Sequence, residues 1–485
     1  MRKASSYLTA MLCGCLIALA AWCALFYSQL GLPTTHSYWT SALVTQKLAA
    51  ARNASGNKIV VIAGSSGNFN VDAELISRKL GISTVNLGTH AILPLGYMLD
   101  HARPILHRGD TVILALEYLY FASDERLSEA YLDYLISRDP EYFRSRGLRE
   151  KVEIIGHVSL KRLLTAKKES WQPRGSPYPF NVYTDFFYSP FGDTHANNLV
   201  FLNETMRNGR AGALVEHRIP TISDKQINWS LLADFVAWCK TQGVKIIAVP
   251  PATMKFDVYQ DPKFRRGIEA VRRLYSDRGV PFIGDPYDAM LERDLFFDTN
   301  YHANQLGKRK YTELLLHWLD GELPPMRTDG KFQETSVDSP VDEVLRHFNG
   351  WMPIAGLRTF EGPYPERQLN AVAWGSPQLR LQVDMDRDDQ RLLTLDAAPI
   401  SNGQPLHILV NDREIYAGHL ANADEFSRIA VVLPLKSGQN TITIRTSSAS
   451  TSETGISALF RELLLSPSPA KENHRRAELP QNRAS

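Results

Sequence analysis

Hydrophobic positions along this chain fall into three regimes. The first is residues 7–27 (YLTAMLCGCLIALAAWCALFY), 21 positions without a charge. At 1.5 Å per helical residue the run reaches about 30 Å, the depth of a bilayer core. A cleavable signal peptide has a shorter apolar stretch followed by small residues at its cleavage site. Here the bulky Trp22, Phe26 and Tyr27 fill the end, so residues 1–28 are read as a cytoplasmic tip and a single-pass signal anchor in the cytoplasmic membrane. Arg2 and Lys3 hold the tip in the cytoplasm and place the body on the periplasmic or extracellular side.

In the second regime, from residue 57, short β-branched runs alternate with amphipathic stretches. The pattern predicts strands over 58–63 (KIVVIA), 82–87, 111–116, 244–249 and 280–283. Helices are predicted over 72–80, with Asp72 near the cap and Gly81 after the end, and over 93–106, 231–241, 264–276 and 306–319. Strands separated by helices imply a parallel sheet covered on both faces, a doubly wound α/β domain over 53–320. Residues from about 120 to 225 interrupt the alternation as an insertion, first helical and charged, then aromatic, with seven aromatic residues in the seventeen positions 177–193. An insertion between strands of such a sheet sits over the C-terminal strand ends, where it packs on the sheet or stacks against a sugar.

The third regime follows a linker over 321–340 rich in Pro, Gly and polar residues. From residue 380 short alternating strands recur (RLQVDM, LLTLDA, LHILVND, RIAVVLPL, TITIRTS, ISALFRELLL), with reversals at Asn411-Asp412 and at 435–440. This spacing predicts an all-β sandwich over 341–465, and its strand pattern resembles that of carbohydrate-binding modules, which implies a carbohydrate-binding role. A polar tail, 466–485, is predicted to be disordered.

Composition alters this picture in two places. Apolar residues at 44% and charged residues at 22% are ordinary for a globular protein, but the net charge of +2 is an end effect. Arg2 and Lys3 supply +2 and the tail another +2, which leaves the body at −2 and argues against a nucleic-acid binder. Three of the four cysteines, Cys13, Cys15 and Cys23, lie in the anchor, so Cys239 has no partner for an internal disulfide. No Cys/His set, P-loop or dinucleotide fingerprint is present, and neither a metal nor a cofactor is expected.

Two short motifs carry candidate chemistry. At the end of the first predicted strand, Gly64-Ser65-Ser66-Gly67-Asn68 presents a serine at the sheet edge after a glycine that permits a sharp turn. Far along the chain, Asp298 and His302 stand on the loop before the last helix of the domain, where a histidine can take a serine proton and an aspartate can orient its ring. His90 and Glu117, at ends of predicted strands, are further candidates to line the cleft.

The serine turn after the first strand and the Asp–His pair before the last helix resemble the SGNH (GDSL-type) hydrolase superfamily. The resemblance is to its membrane-anchored branch in polysaccharide O-acetylation and teichoic acid D-alanylation, and it covers roughly residues 57–319. The family's Gly-Asp-Ser block matches Gly64-Ser65-Ser66 and implies Ser66 as nucleophile, while the spacing to Phe69 and Asp72 also admits Ser65. The family aspartate stands three positions before its histidine, whereas Asp298 stands four before His302. The family's oxyanion glycine corresponds to Gly88, although the best local match falls on Ala91. Its asparagine has no counterpart after the third strand, leaving Asn68, Asn86 or backbone N–H groups as substitutes.

What the resemblance implies is a membrane-anchored O-acyltransferase, most simply an acetyltransferase, acting on an extracytoplasmic polysaccharide. The body has no cytoplasmic acyl-CoA at hand, so the resemblance also implies a multi-spanning membrane partner that exports the acyl group. An esterase of the same fold and a catalytically inactive glycan-binding scaffold are the alternatives.

Overall fold

A computed structural model of the chain describes residues 2–121, 127–170, 188–195, 197–202, 227–323, 340–361, 372–423, 425–446 and 455–468. Helix α1 (Arg2–Tyr27) is apolar enough over Tyr7–Tyr27 to cross a membrane or act as a signal anchor. Its last turns, from Trp22, join the protein core through Trp22, Leu25 and Phe26. Helix α2 (Tyr38–Asn53) buries Leu43, Val44 and Ala51.

The four residues IVVI of β1 (Ile59–Ile62) offer no polar position to a solvent face, and all four are buried at the centre of a parallel sheet. The other strands of that sheet are β2 (Thr84–Asn86), β3 (Thr111–Leu114) and β4 (Lys245–Ala248), in the order β2-β1-β3-β4. The chain runs from β1 outward to β2 and then back to the other side of β1 as β3. The loops after β1 and β3 therefore diverge, which is the switch point where such sheets bind ligands. The predicted fifth strand, 280–283, shrinks to a bridge between Phe282 and Ala248. Pro281 lacks an N–H and Gly284 turns the chain at φ 86°, so the ladder cannot extend.

Around the sheet lie α3 (Ser65–Asn70), α4 (Ala73–Leu80) and α5 (Leu95–Ala102). Asp72 caps α4 by accepting from the Leu75 N–H at 2.8 Å, and Gly81 ends it at φ 64°. The insertion contributes α6 (Glu129–Arg138), α7 (Pro140–Ser145), α8 (Leu148–His157) and α9 (Leu160–Glu169). Of the aromatic stretch 177–193, residues 177–187 lie outside the described residues. The domain closes with α10 (Ile227–Gln242), the small parallel pair β5 (Thr253–Met254) and β6 (Met290–Leu291), α11 (Pro262–Ser276) and α12 (Gln305–Leu319).

After α13 (Pro340–His347) the remaining strands are β7 (Phe348–Asn349), β8 (Met352–Glu361), β9 (Val372–Met385), β10 (Asp389–Pro399), β11 (Gln404–Val410), β12 (Arg413–Leu420), β13 (Ser427–Leu435), β14 (Gly438–Thr446) and β15 (Ala458–Pro467). They form one continuous nine-stranded, mostly antiparallel sheet that folds over itself as a near-barrel sandwich. Asn411 and Asp412, at φ 49° and 64°, make the two-residue hairpin between β11 and β12. β7, β8 and β12 are additions to the predicted strand set. The sandwich core also takes in Phe69, Phe201 and Phe297 from the α/β domain, with Phe201 edge-on to Phe360 at 5.6 Å. Linker residues 324–339 and tail residues 469–485 lie outside the described residues.

Candidate functional site

Helix α3 starts directly after β1, and its first turn is built around a carboxylate delivered from the end of β3. Glu117 accepts the Ser66 N–H at 2.6 Å and the Gly64 N–H at 3.0 Å. A Cβ at position 64 would stand 2.6 Å from Tyr120 Oη and 2.7 Å from Glu117 Oε1, so any side chain there displaces one of these groups. Burial raises the pKa of Glu117, opposed by the N–H groups it accepts and by the charge of His302.

The two serines sit in different surroundings. Ser66 is 1% exposed, and its hydroxyl donates to the Ala252 carbonyl at 3.1 Å while accepting from Asn70 Nδ2 at 3.0 Å. Ser65 is 7% exposed, and its hydroxyl makes no hydrogen bond among the described residues.

Asn70, the last residue of α3, ties this turn to the loop before α12. Its amide donates to the Tyr301 carbonyl at 2.9 Å, and its oxygen accepts the Ala303 N–H at 2.6 Å. Both backbone neighbours of His302 are thus held by a residue that also holds Ser66. The His302 ring lies flat on Phe69, with centroids 4.0 Å apart and planes at 9°. His302 Nδ1 is 2.8 Å from Asp298 Oδ1. The four-residue spacing is taken up by a tight turn in which the Phe297 N–H donates to the His302 carbonyl at 2.7 Å. An Nδ1–H donated to Asp298 leaves Nε2 as the basic nitrogen. Among the described residues, no hydrogen bond joins His302 to either serine.

The remaining candidates divide further. Gly88 donates its N–H to Asn86 Oδ1 at 2.8 Å, and the Asn86 amide donates to Gly67 O, Val71 O and Asp193 Oδ1 at 3.0–3.2 Å. Both groups are thereby committed to holding the β2 loop against α3. Asn68 is buried, and its Oδ1 has no hydrogen-bond partner among the described residues. His90 meets the edge of Trp39 at 4.0 Å and accepts the Ile92 N–H at 3.3 Å. Its pKa is pushed down to about 3, first by burial and then by His302, so the ring is neutral. Ala91 is exposed. Among the described residues, no group of three or more His, Cys, Asp or Glu side chains is placed to hold a metal.

Two contributors have no motif. Asn70 acts through contacts more than 230 positions away, which no local pattern announces. Lys47, on α2, donates to the Asn86 and Gly192 carbonyls at 3.1 and 2.6 Å from behind the β2 loop. Burial pushes its pKa down to about 7 against the pull of Asp193.

No protein-family model matches the chain, and no curated protein matches it. Among solved structures, the chain is similar to a ruminal GH26 endo-beta-1,4-mannanase at 16% identity and TM-score 0.16, over 20% of this chain and 19% of that one. A family 35 carbohydrate binding module from an environmental isolate matches at 14% identity and TM-score 0.16, over 19% of this chain and 66% of that one. CBM35 from Paenibacillus barcinonensis matches at 14% identity and TM-score 0.19, over 25% and 94%. Likenesses this weak and partial assign no activity to the site.

Proposed function

We propose that the chain is a membrane-anchored, SGNH-like serine acyltransferase that modifies an extracytoplasmic polysaccharide, with Ser65 as nucleophile, His302 as base and Asp298 as its orienting acid. One observation carries this reading. The Asp298–His302 pair is clamped by Asn70 and Phe69 against the same short helix that begins with Ser65. In the first half-reaction Ser65 Oγ attacks the acyl carbonyl carbon as its proton passes to His302 Nε2, and the donor alcohol leaves with that proton. In the second, a sugar hydroxyl attacks the acyl-serine, its proton passes to His302, and Ser65 regains one as the ester departs. Water in place of the sugar makes the same site an esterase. The sandwich core takes in the Phe69–Phe297 stack, which supports the reading that the sandwich holds the acceptor chain beside the site.

Glu117 sets the condition for this chemistry. An ionised carboxylate beside a developing oxyanion opposes it. Turnover by this route therefore needs neutral Glu117, which burial favours. A carboxylic acid kept neutral by its surroundings can donate a hydrogen bond to an oxyanion.

A second reading rests on the same pocket. With the Ser66 and Gly88 amides both engaged, the chain is instead an inactive glycan-binding scaffold. Incubating full-length protein with an acyl-ester donor and an oligosaccharide acceptor separates the readings. Acylated sugar supports transfer, free acid alone supports the esterase, and no turnover with retained sugar binding supports the scaffold.

A further inference from the structure

The insertion helices α8 and α9 carry an apolar face that the α/β domain does not use. Leu148 and Val152 stand one turn apart on α8 and are 80% and 63% exposed, and Leu160 and Leu164 repeat the spacing on α9 at 50% and 59%. The buried sides of the same helices hold Ile154, Leu163 and Ala166 against the domain, so each helix carries a second apolar stripe away from its buried side. A second apolar stripe on a folded helix needs a cover.

The position of α1 identifies that cover. Trp22 donates its indole N–H to the Ile155 carbonyl of α8 at 3.0 Å, and Phe26 packs on Phe143 of α7 with centroids 5.1 Å apart. Trp22 lies five residues inside the apolar run that ends at Tyr27, which is about 7 Å along the helix axis. A helix bonded at that level cannot stand clear of a bilayer that α1 crosses. The local charge agrees. Residues 144–170 hold eight Lys/Arg against three Glu, whereas the body as a whole is slightly acidic. Arg149, Lys161, Lys167 and Lys168 are exposed beside the apolar stripe, in the arrangement of an interfacial helix.

We propose that α8 and α9 form a second, monotopic membrane contact. They lie in the headgroup layer of the leaflet from which α1 emerges, with Leu148, Val152, Leu160 and Leu164 toward the acyl chains. The contact fixes the tilt of the α/β domain, which a single helix alone leaves free. The inference rests on reading α1 as a membrane span.

The test uses the full chain with Cys13, Cys15 and Cys23 replaced by serine, reconstituted in vesicles of phosphatidylethanolamine and phosphatidylglycerol. A polarity-sensitive fluorophore is attached in turn at Leu16→Cys, Val152→Cys, Leu164→Cys and, as a control on the sandwich, Gln439→Cys. Nitroxide-bearing lipids then report contact by quenching. Quenching and a blue shift at 16, 152 and 164, with none at 439, is the expected result. Adding Leu148→Glu and Leu160→Glu is expected to abolish quenching at 152 and leave it at 16. Quenching at 16 without quenching at 152 and 164 overturns the second contact while leaving the anchor. No quenching at 16 overturns the anchor and the contact with it.

Discussion

On the loop before α12, Asp298 and Phe69 fix the His302 ring and leave Nε2 without a partner among the described residues. Across the switch point, at the ends of β1, β2 and β3, the opposite holds. The Ser66 and Gly64 amides are taken by Glu117, and the Gly88 amide by Asn86. The Asp298–His302 pair is joined and its Nε2 open, while the backbone amides of the neighbouring turns are closed on themselves. On the proposed reading, the difference teaches that a nucleophile–base pair and an oxyanion hole are separable requirements of a site. The first needs two loops brought together, whereas the second needs backbone donors left unsatisfied, a cost the surrounding polar residues readily relieve.

The largest effect is expected where the open half is broken. His302→Ala should lower acyl transfer by about 10²–10⁴-fold with the fold intact, measured as kcat/KM and by circular dichroism. Next comes the clamp between the halves. Asn70→Ala leaves the buried Ala303 N–H unpaired, at a cost of about 1–3 kcal/mol, and removes the donor to the part-buried Tyr301 carbonyl, both read from denaturant unfolding. A loss of stability below about 1 kcal/mol would show that the loop does not depend on Asn70.

The closed half is sharpened through pH. Burial raises the folded-state pKa of Glu117 above that of the unfolded chain. Its contribution to stability is fully present below the unfolded value and is lost as pH rises through the folded one. Activity that needs neutral Glu117 should fall over the same window. Glu117→Gln should remove the carboxyl's part of both dependences, and an unchanged pH–rate profile in that variant would count against its role. The smallest effect is expected behind the β2 loop. Lys47, with its pKa depressed from 10.5 to about 7, contributes stability present above the unfolded value and lost as pH falls through about 7. Lys47→Met should flatten that part of the stability–pH curve.

Much of the fold is legible because its segments satisfy local rules. IVVI has no polar face, Asp72 and Gly81 bracket α4, and Asn411-Asp412 tolerate the positive φ of a tight hairpin. β12 is not legible, because an edge strand with mostly exposed or half-buried positions shows no alternation. β8 is hidden by the register shifts between Pro353 and Phe360 that break its period. In the site, the residue types and the loops they stand on can be read, but not what their hydrogen bonds join. Glu117 reads equally well as a partner for an arginine until β3 places it against the Gly64 and Ser66 amides. The family block points to Ser66 and the spacing to Phe69 and Asp72 admits Ser65, and the bonds of the Ser66 hydroxyl to Asn70 and Ala252 separate the two in the structure.

That separation supplies the most direct test. Full-length protein is treated with a fluorophosphonate probe, which reacts with a serine activated by a neighbouring base. The wild type and Ser66→Ala are expected to label, and Ser65→Ala and His302→Ala are not. Labelling that persists in Ser65→Ala, or absence of labelling in every form, would contradict the assignment of an active serine site at the head of α3.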